Sequence, residues 1–116
     1  MAVDVLFAAI PVAKLDRAIE WYERFLDAPP DMAPNEIERA WQLTDGGWLY
    51  VIEDEERAGH SLATLIVDDL DDRIARLDEL GMETGEIQQI NERTRKLEVI
   101  DPDGNRIGLG EVSPAD

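Results

Sequence analysis

The chain has 116 residues, of which 44% are hydrophobic and 33% charged, which suits one soluble domain able to bury a real core. With 11 basic against 27 acidic residues the formal net charge is -16, a surface that repels nucleic acid and anionic membrane and draws cationic partners at low salt. Cysteine is absent, which excludes disulfides, thiolate metal sites, iron–sulfur clusters and cysteine nucleophiles; no apolar run approaches the length of a membrane-spanning helix. Met1-Ala2-Val3-Asp4 lacks the basic-then-apolar pattern of a signal peptide, so a cytoplasmic location is expected.

Val5 to Val12 is apolar throughout and predicts a strand covered on both faces. Leu15, Ile19, Tyr22 and Leu26 recur at helical spacing and predict one buried stripe, ended by Pro29-Pro30. Residues 31–37 read as a loop or weak edge strand. Glu38 to Thr44 predicts a strand with Arg39, Trp41 and Leu43 on one side, Asp45-Gly46-Gly47 a turn, and Trp48 to Glu53 the next strand. The acidic run Glu53-Asp54-Glu55-Glu56 reads as a solvated connector.

The pattern then restarts. Ser61 to Val67 predicts a strand. Leu70, Ile74, Leu77 and Leu80 predict a second helix, with Asp69 as N-cap and Gly81 as left-handed stop. Glu86 to Ile90 predicts a short strand, Thr94 to Ile100 a longer one, Asp101-Pro102-Asp103-Gly104 a turn, and Arg106 to Val112 the last strand. At an offset of 55, Val12, Leu15, Asp16 and Ile19 fall on Val67, Leu70, Asp71 and Ile74; at an offset of 58, Asp45-Gly46 falls on Asp103-Gly104. Agreement of element order, apolar stripe and turn position marks a duplicated strand–helix–three-strand unit.

This duplication, with the starts Val12-x-x-Leu15-Asp16-x-x-Ile19 and Val67-x-x-Leu70-Asp71-x-x-Ile74 and the closing Asp101-Pro102-Asp103-Gly104-Asn105-Arg106-Ile107, resembles the vicinal-oxygen-chelate superfamily, which includes glyoxalase I, extradiol dioxygenases and bleomycin-binding proteins. The resemblance implies an α+β fold in a single domain: two pseudo-symmetric βαβββ modules, about 4–54 and 60–112, whose curved mixed sheets form a cleft with the helices outside. It also implies a homodimer. Ile10, Val12, Leu49, Val51, Leu65, Val67, Ile107 and Leu109 are expected beneath the helices; Phe7, Ala9, Trp48, Tyr50, Leu62, Thr64, Arg106 and Gly108, of opposite parity, should face the cleft.

In metal-dependent members four cleft positions carry His and Glu ligands. The resemblance places them here at Phe7, Tyr50, Leu62 and Gly108, which offer no imidazole or carboxylate. His60 is the one histidine in the chain, so no multi-histidine site exists, and no metal or cofactor is expected. His60 itself is open to two readings, an exposed strand-start residue or a contact at the cleft rim. Trp41 and Trp48 are likewise read either as core and dimer contact or as flat ligand-binding walls. The candidate ligand-binding set is Phe7, Ala9, Trp41, Trp48, Tyr50, His60, Leu62, Thr64, Arg95 and Arg106, with no catalytic residue assigned. The functional expectation is a metal-free protein binding an apolar or cationic organic molecule, more a binder than an enzyme. The alternatives are a lyase, isomerase or dioxygenase-like enzyme with a non-standard site, and a protein-interaction module.

Overall fold

The computed structural model describes residues 1–114. Among these, two helices and two mixed sheets of four and five strands, neither closed into a barrel, make an α+β fold. The chain divides into two units, the second beginning at Leu62.

In the first unit the elements are β1 (Leu6–Val12), α1 (Leu15–Leu26), β2 (Met32–Asn35), β3 (Glu38–Thr44) and β4 (Gly47–Glu53). The sheet order is β1-β4-β3-β2, with β1 parallel to β4 and the other pairs antiparallel. A parallel pair needs a crossover, and α1 begins that connection. β2 is an edge strand, where Pro34 is tolerated because an edge N–H need not enter the ladder. Ile10, Val12, Leu49 and Val51 form the buried row of the sheet, and α1 lays Leu15, Ala18, Tyr22 and Phe25 into the core. The buried stripe is thus turned from the expected one: Ile19 and Leu26 lie half-buried at its flank. Ala18 and Phe25 are apolar too, so the spacing allows either stripe; packing buries the one with Ala18 and Phe25, while Tyr22, common to both, lies 6.1 Å from the Trp41 ring.

β1 does not behave as a strand covered on both faces. Ile10 and Val12 are buried, while Phe7 and Ala9 on the other face are exposed. The helix terminates at Asp27, whose φ of 56° is left-handed, two residues before the prolines.

The second unit contains β5 (Leu62–Ile66), α2 (Leu70–Leu80), β6 (Glu83–Thr84), β7 (Gln88–Gln89), β8 (Thr94–Ile100) and β9 (Arg106–Val112). The order is β5-β9-β8-β6, with β7 also paired to β8. β5 runs parallel to β9, as β1 does to β4. The registers carry the duplication residue by residue: Phe7 pairs with Trp48 as Leu62 pairs with Arg106, and Ala9 pairs with Tyr50 as Thr64 pairs with Gly108. Leu70, Leu77, Leu97, Val99, Ile107 and Leu109 are buried; Leu65 and Val67, expected in that core, are half-buried. Gly81 closes α2 at φ 68°, and Gly104 closes the β8–β9 turn at φ 97°, conformations that a Cβ disfavours. Asp69 occupies the N-cap position of α2 but makes no capping bond through its side chain; its Oδ2 lies 3.3 Å from Arg73 Nε instead.

Candidate functional site

Strand alternation gives the first sheet two unlike faces. The row beneath α1 is filled. The other row carries Phe7 and Ala9 from β1, Trp48 and Tyr50 from β4, and Ala40 and Gln42 from β3, aligned by the pairs Phe7–Trp48–Gln42 and Ala9–Tyr50–Ala40. Phe7 stacks on Trp48 with ring centroids 5.7 Å apart and meets Tyr50 edge-on at 5.9 Å. Both geometries are favoured by the ring quadrupoles. Phe7 nevertheless remains 45% exposed, so these rings form an open surface and not a sealed core.

Beside them lies a hollow of about 380 Å³ lined by Phe7, Met32, Pro34, Glu38, Ala40 and Tyr50. Ala40 is fully buried and forms its floor, opposite Tyr50 on one side and Met32 on the other. The small Ala40 side chain leaves the space that the larger neighbours enclose. Met32, Pro34 and Glu38 were not among the expected site residues. The signal for Glu38 was available in the alternation of β3, which sets Glu38, Ala40 and Gln42 opposite to Arg39, Trp41 and Leu43. Met32 and Pro34 lie on a four-residue edge strand too short and too proline-marked to declare its pairing.

Trp41 does not belong to this surface. It is 1% exposed, packs against Tyr22, and its Nε1 donates to the Ala28 carbonyl oxygen at 2.9 Å. The indole is therefore a core residue with its polar atom satisfied, consistent with its odd position on β3. Trp48, one parity step away on β4, is the half-buried tryptophan that joins the aromatic face.

In the second unit, Leu62 and Thr64 on β5 share an open face with Arg106 on β9. Arg106 Nη1 lies 2.8 Å from Glu98 Oε1. Arg95 is on the reverse side of β8, in the row of Leu97 and Val99. Its guanidinium is 3.0 Å from Asp71 of α2 and 2.9 Å from Glu111 of β9, and hydrogen bonding to Asp71 and then to Glu111 raises its pKa above the ordinary value. Arg95 thus ties helix to sheet and is not a polar group of the open face. His60 is exposed in the connector before β5.

The positions at which the superfamily resemblance implies metal ligands carry a phenyl ring, a phenol, an isobutyl group and a bare backbone, at Phe7, Tyr50, Leu62 and Gly108. Among the described residues, no group of three or more His, Cys, Asp or Glu side chains is placed to hold a metal ion. The donor set does not fit a divalent cation, which needs several imidazole or carboxylate ligands converging on one point.

A solved glyoxalase/bleomycin resistance protein from Catenulispora acidiphila is 41% identical in sequence, with 93% of this chain and 97% of that one covered and a TM-score of 0.85. The chain belongs to the glyoxalase/bleomycin resistance protein family. The same fold recurs in TnmS3, an antibiotic-binding protein from a Streptomyces species, at 24% identity, TM-score 0.78, and coverage of 97% and 99%. It recurs again in a lactoylglutathione lyase from Agrobacterium tumefaciens at 15% identity, TM-score 0.80, and coverage of 92% of each chain. No family model matches the sequence, and no curated protein matches it. A glyoxalase/bleomycin resistance fold thus hosts both a lyase and an antibiotic binder among these relatives, so the site, and not the fold, must decide function.

Proposed function

We propose that this protein binds a small organic molecule, apolar or cationic, against the aromatic face of its first sheet, with no metal ion and no chemical step. The observation that carries this reading is the hollow of about 380 Å³ beside the Phe7–Trp48–Tyr50 cluster. Pockets for organic ligands span roughly 300–1,000 Å³ and combine apolar walls with a few polar groups. Phe7, Met32, Pro34 and Ala40 supply such walls here, and Glu38 and the Tyr50 hydroxyl supply polar groups. The antibiotic-binding name of TnmS3 agrees with this use of the fold.

In this reading Phe7, Ala9, Trp48 and Tyr50 contact the ligand from the first sheet. Leu62, Thr64 and Arg106 form a separate open face of the second unit, His60 lies in the connector, and Trp41 and Arg95 act only through the scaffold. The protein is taken as one domain of two modules, about residues 4–54 and 60–112, acting as a cytoplasmic homodimer whose partner is an unidentified organic molecule and neither nucleic acid nor membrane. Among the described residues, no helix is long and apolar enough to cross a membrane.

The test is a thermal-shift screen of organic compounds followed by calorimetry on the hits. A ligand at a hundredfold excess over its dissociation constant stabilises the folded state by about 2.7 kcal/mol. Phe7→Asp and Tyr50→Ala should each abolish that shift while the free variants keep the wild-type circular dichroism. Hits whose shift survives both substitutions, or whose binding requires added divalent metal, would overturn the assignment.

A further inference from the structure

We propose that Glu38 makes the hollow of the first sheet selective for a flat organic cation over a neutral molecule of the same shape. This rests on the binding reading above and adds to it the charge of the ligand and the residue that senses it. Glu38 is the charged side chain among the described residues lining the hollow; Phe7, Met32, Pro34, Ala40 and Tyr50 present rings, hydrocarbon, a thioether and one phenol. It stands half-buried at the first position of β3, opposite Ile52 and two residues from Ala40, on the same face as the floor.

Its sequence neighbour does not neutralise it. Arg39 alternates to the other face, and its Nη1 donates to the backbone carbonyl oxygens of Asn35 at 3.0 Å and of Glu38 at 2.6 Å, not to the Glu38 carboxylate. Among the described residues the Glu38 carboxylate enters no ion pair.

A carboxylate facing rings and methyl groups gives up part of its hydration when a ligand fills the space in front of it, and that loss is unfavourable unless a donor replaces the water. A ligand ammonium or protonated ring nitrogen is such a donor. The faces of Phe7 and Tyr50 add attraction to the same positive charge. A neutral ligand of equal shape gains the apolar contact but strands the carboxylate, and selectivity is the difference between the two outcomes. The net charge of -16 also attracts cations, but without regard to shape. Replacing Glu38 removes one unit of that sum, so a preference set by the global field survives the substitution and one set by Glu38 does not.

The experiment is calorimetric titration of the full chain with 9-aminoacridine, a cation near neutral pH, and acridine, the same ring system but neutral there. The wild type should prefer 9-aminoacridine by about tenfold or more, as expected for one partly desolvated charge pair. Glu38→Gln should shrink the preference to less than about threefold, weakening 9-aminoacridine and binding acridine at least as tightly as the wild type, because the apolar walls remain and no charge is stranded. Glu38→Lys should turn the preference toward acridine, and far-UV circular dichroism with thermal melts checks that both variants fold. Equal wild-type affinity for the two rings overturns the role of Glu38 and leaves the binding reading standing. So does a preference for the cation that persists in Glu38→Gln. Uptake of neither ring overturns the proposal that the hollow takes a flat organic cation, whereas the binding reading falls only if the thermal-shift screen of organic compounds also yields no ligand.

Discussion

Asp101 is a buried carboxylate, 4% exposed, at the start of the β8–β9 turn. Its Oδ1 accepts the backbone N–H groups of Asp103 at 2.9 Å and Asn105 at 2.8 Å, and its Oδ2 accepts Asn105 Nδ2 at 2.8 Å. Asn105 is fully buried. Asp101→Ala would leave these donors without their acceptor, a loss of about 3 kcal/mol for buried charge-assisted bonds. Urea unfolding should show that loss as a lower midpoint with an unchanged slope. The turn was legible from Pro102 and Gly104; the carboxylate that holds it together was not, because side-chain bonding across a turn leaves no periodic trace. Arg95 illustrates the opposite error. Its parity with Leu97 and Val99 pointed to the helix side, and a long charged side chain there reaches Asp71 and Glu111 at the sheet margin without burying its charge.

At the level of elements, α1 begins without a side-chain cap of its own. Lys14 holds the N-cap position, and the Leu15 N–H donates to Glu53 Oε1 at 3.1 Å. The cap therefore arrives from the end of β4, and Glu53 is not simply part of a solvated acidic connector. An anionic acceptor at a helix N-terminus satisfies an orphan N–H and opposes the positive end of the dipole. Glu53→Ala should cost about 1 kcal/mol; Glu53→Gln, which keeps an acceptor but not the charge, should cost less, and thermal melts of the two variants check the order. No local capping pattern could reveal this, since 38 residues separate donor and acceptor. Among the other strands, β3, β8 and β9 match their predicted spans, whereas β7 forms only at Gln88–Gln89 within the expected Glu86 to Ile90. β6, only two residues long, is too short for alternation to show.

For the whole molecule, the dominant quantity is the net charge of -16. Self-repulsion of that size opposes the folded state at low ionic strength. The melting temperature should rise as sodium chloride is added and level off near physiological salt, where the screening length is about 8 Å. A steady fall instead would mean that ion pairs such as Arg95–Asp71 and Arg106–Glu98 outweigh the repulsion. The duplication was also visible at this scale, since the same offsets that align the two halves in sequence reappear in the Phe7–Trp48 and Leu62–Arg106 registers.

The amino-acid sequence alone determined the order of the elements, their repetition, and which residues alternate with which, because backbone geometry imposes those periods on every helix and strand. The tertiary structure alone decided that the Trp41 indole is buried against Tyr22, which carboxylates Arg95 reaches, which distant carboxylate caps α1, and how Met32, Pro34, Glu38 and Ala40 line a hollow. Those outcomes depend on strand register and on packing between residues far apart in the chain, and local pattern carries no record of either.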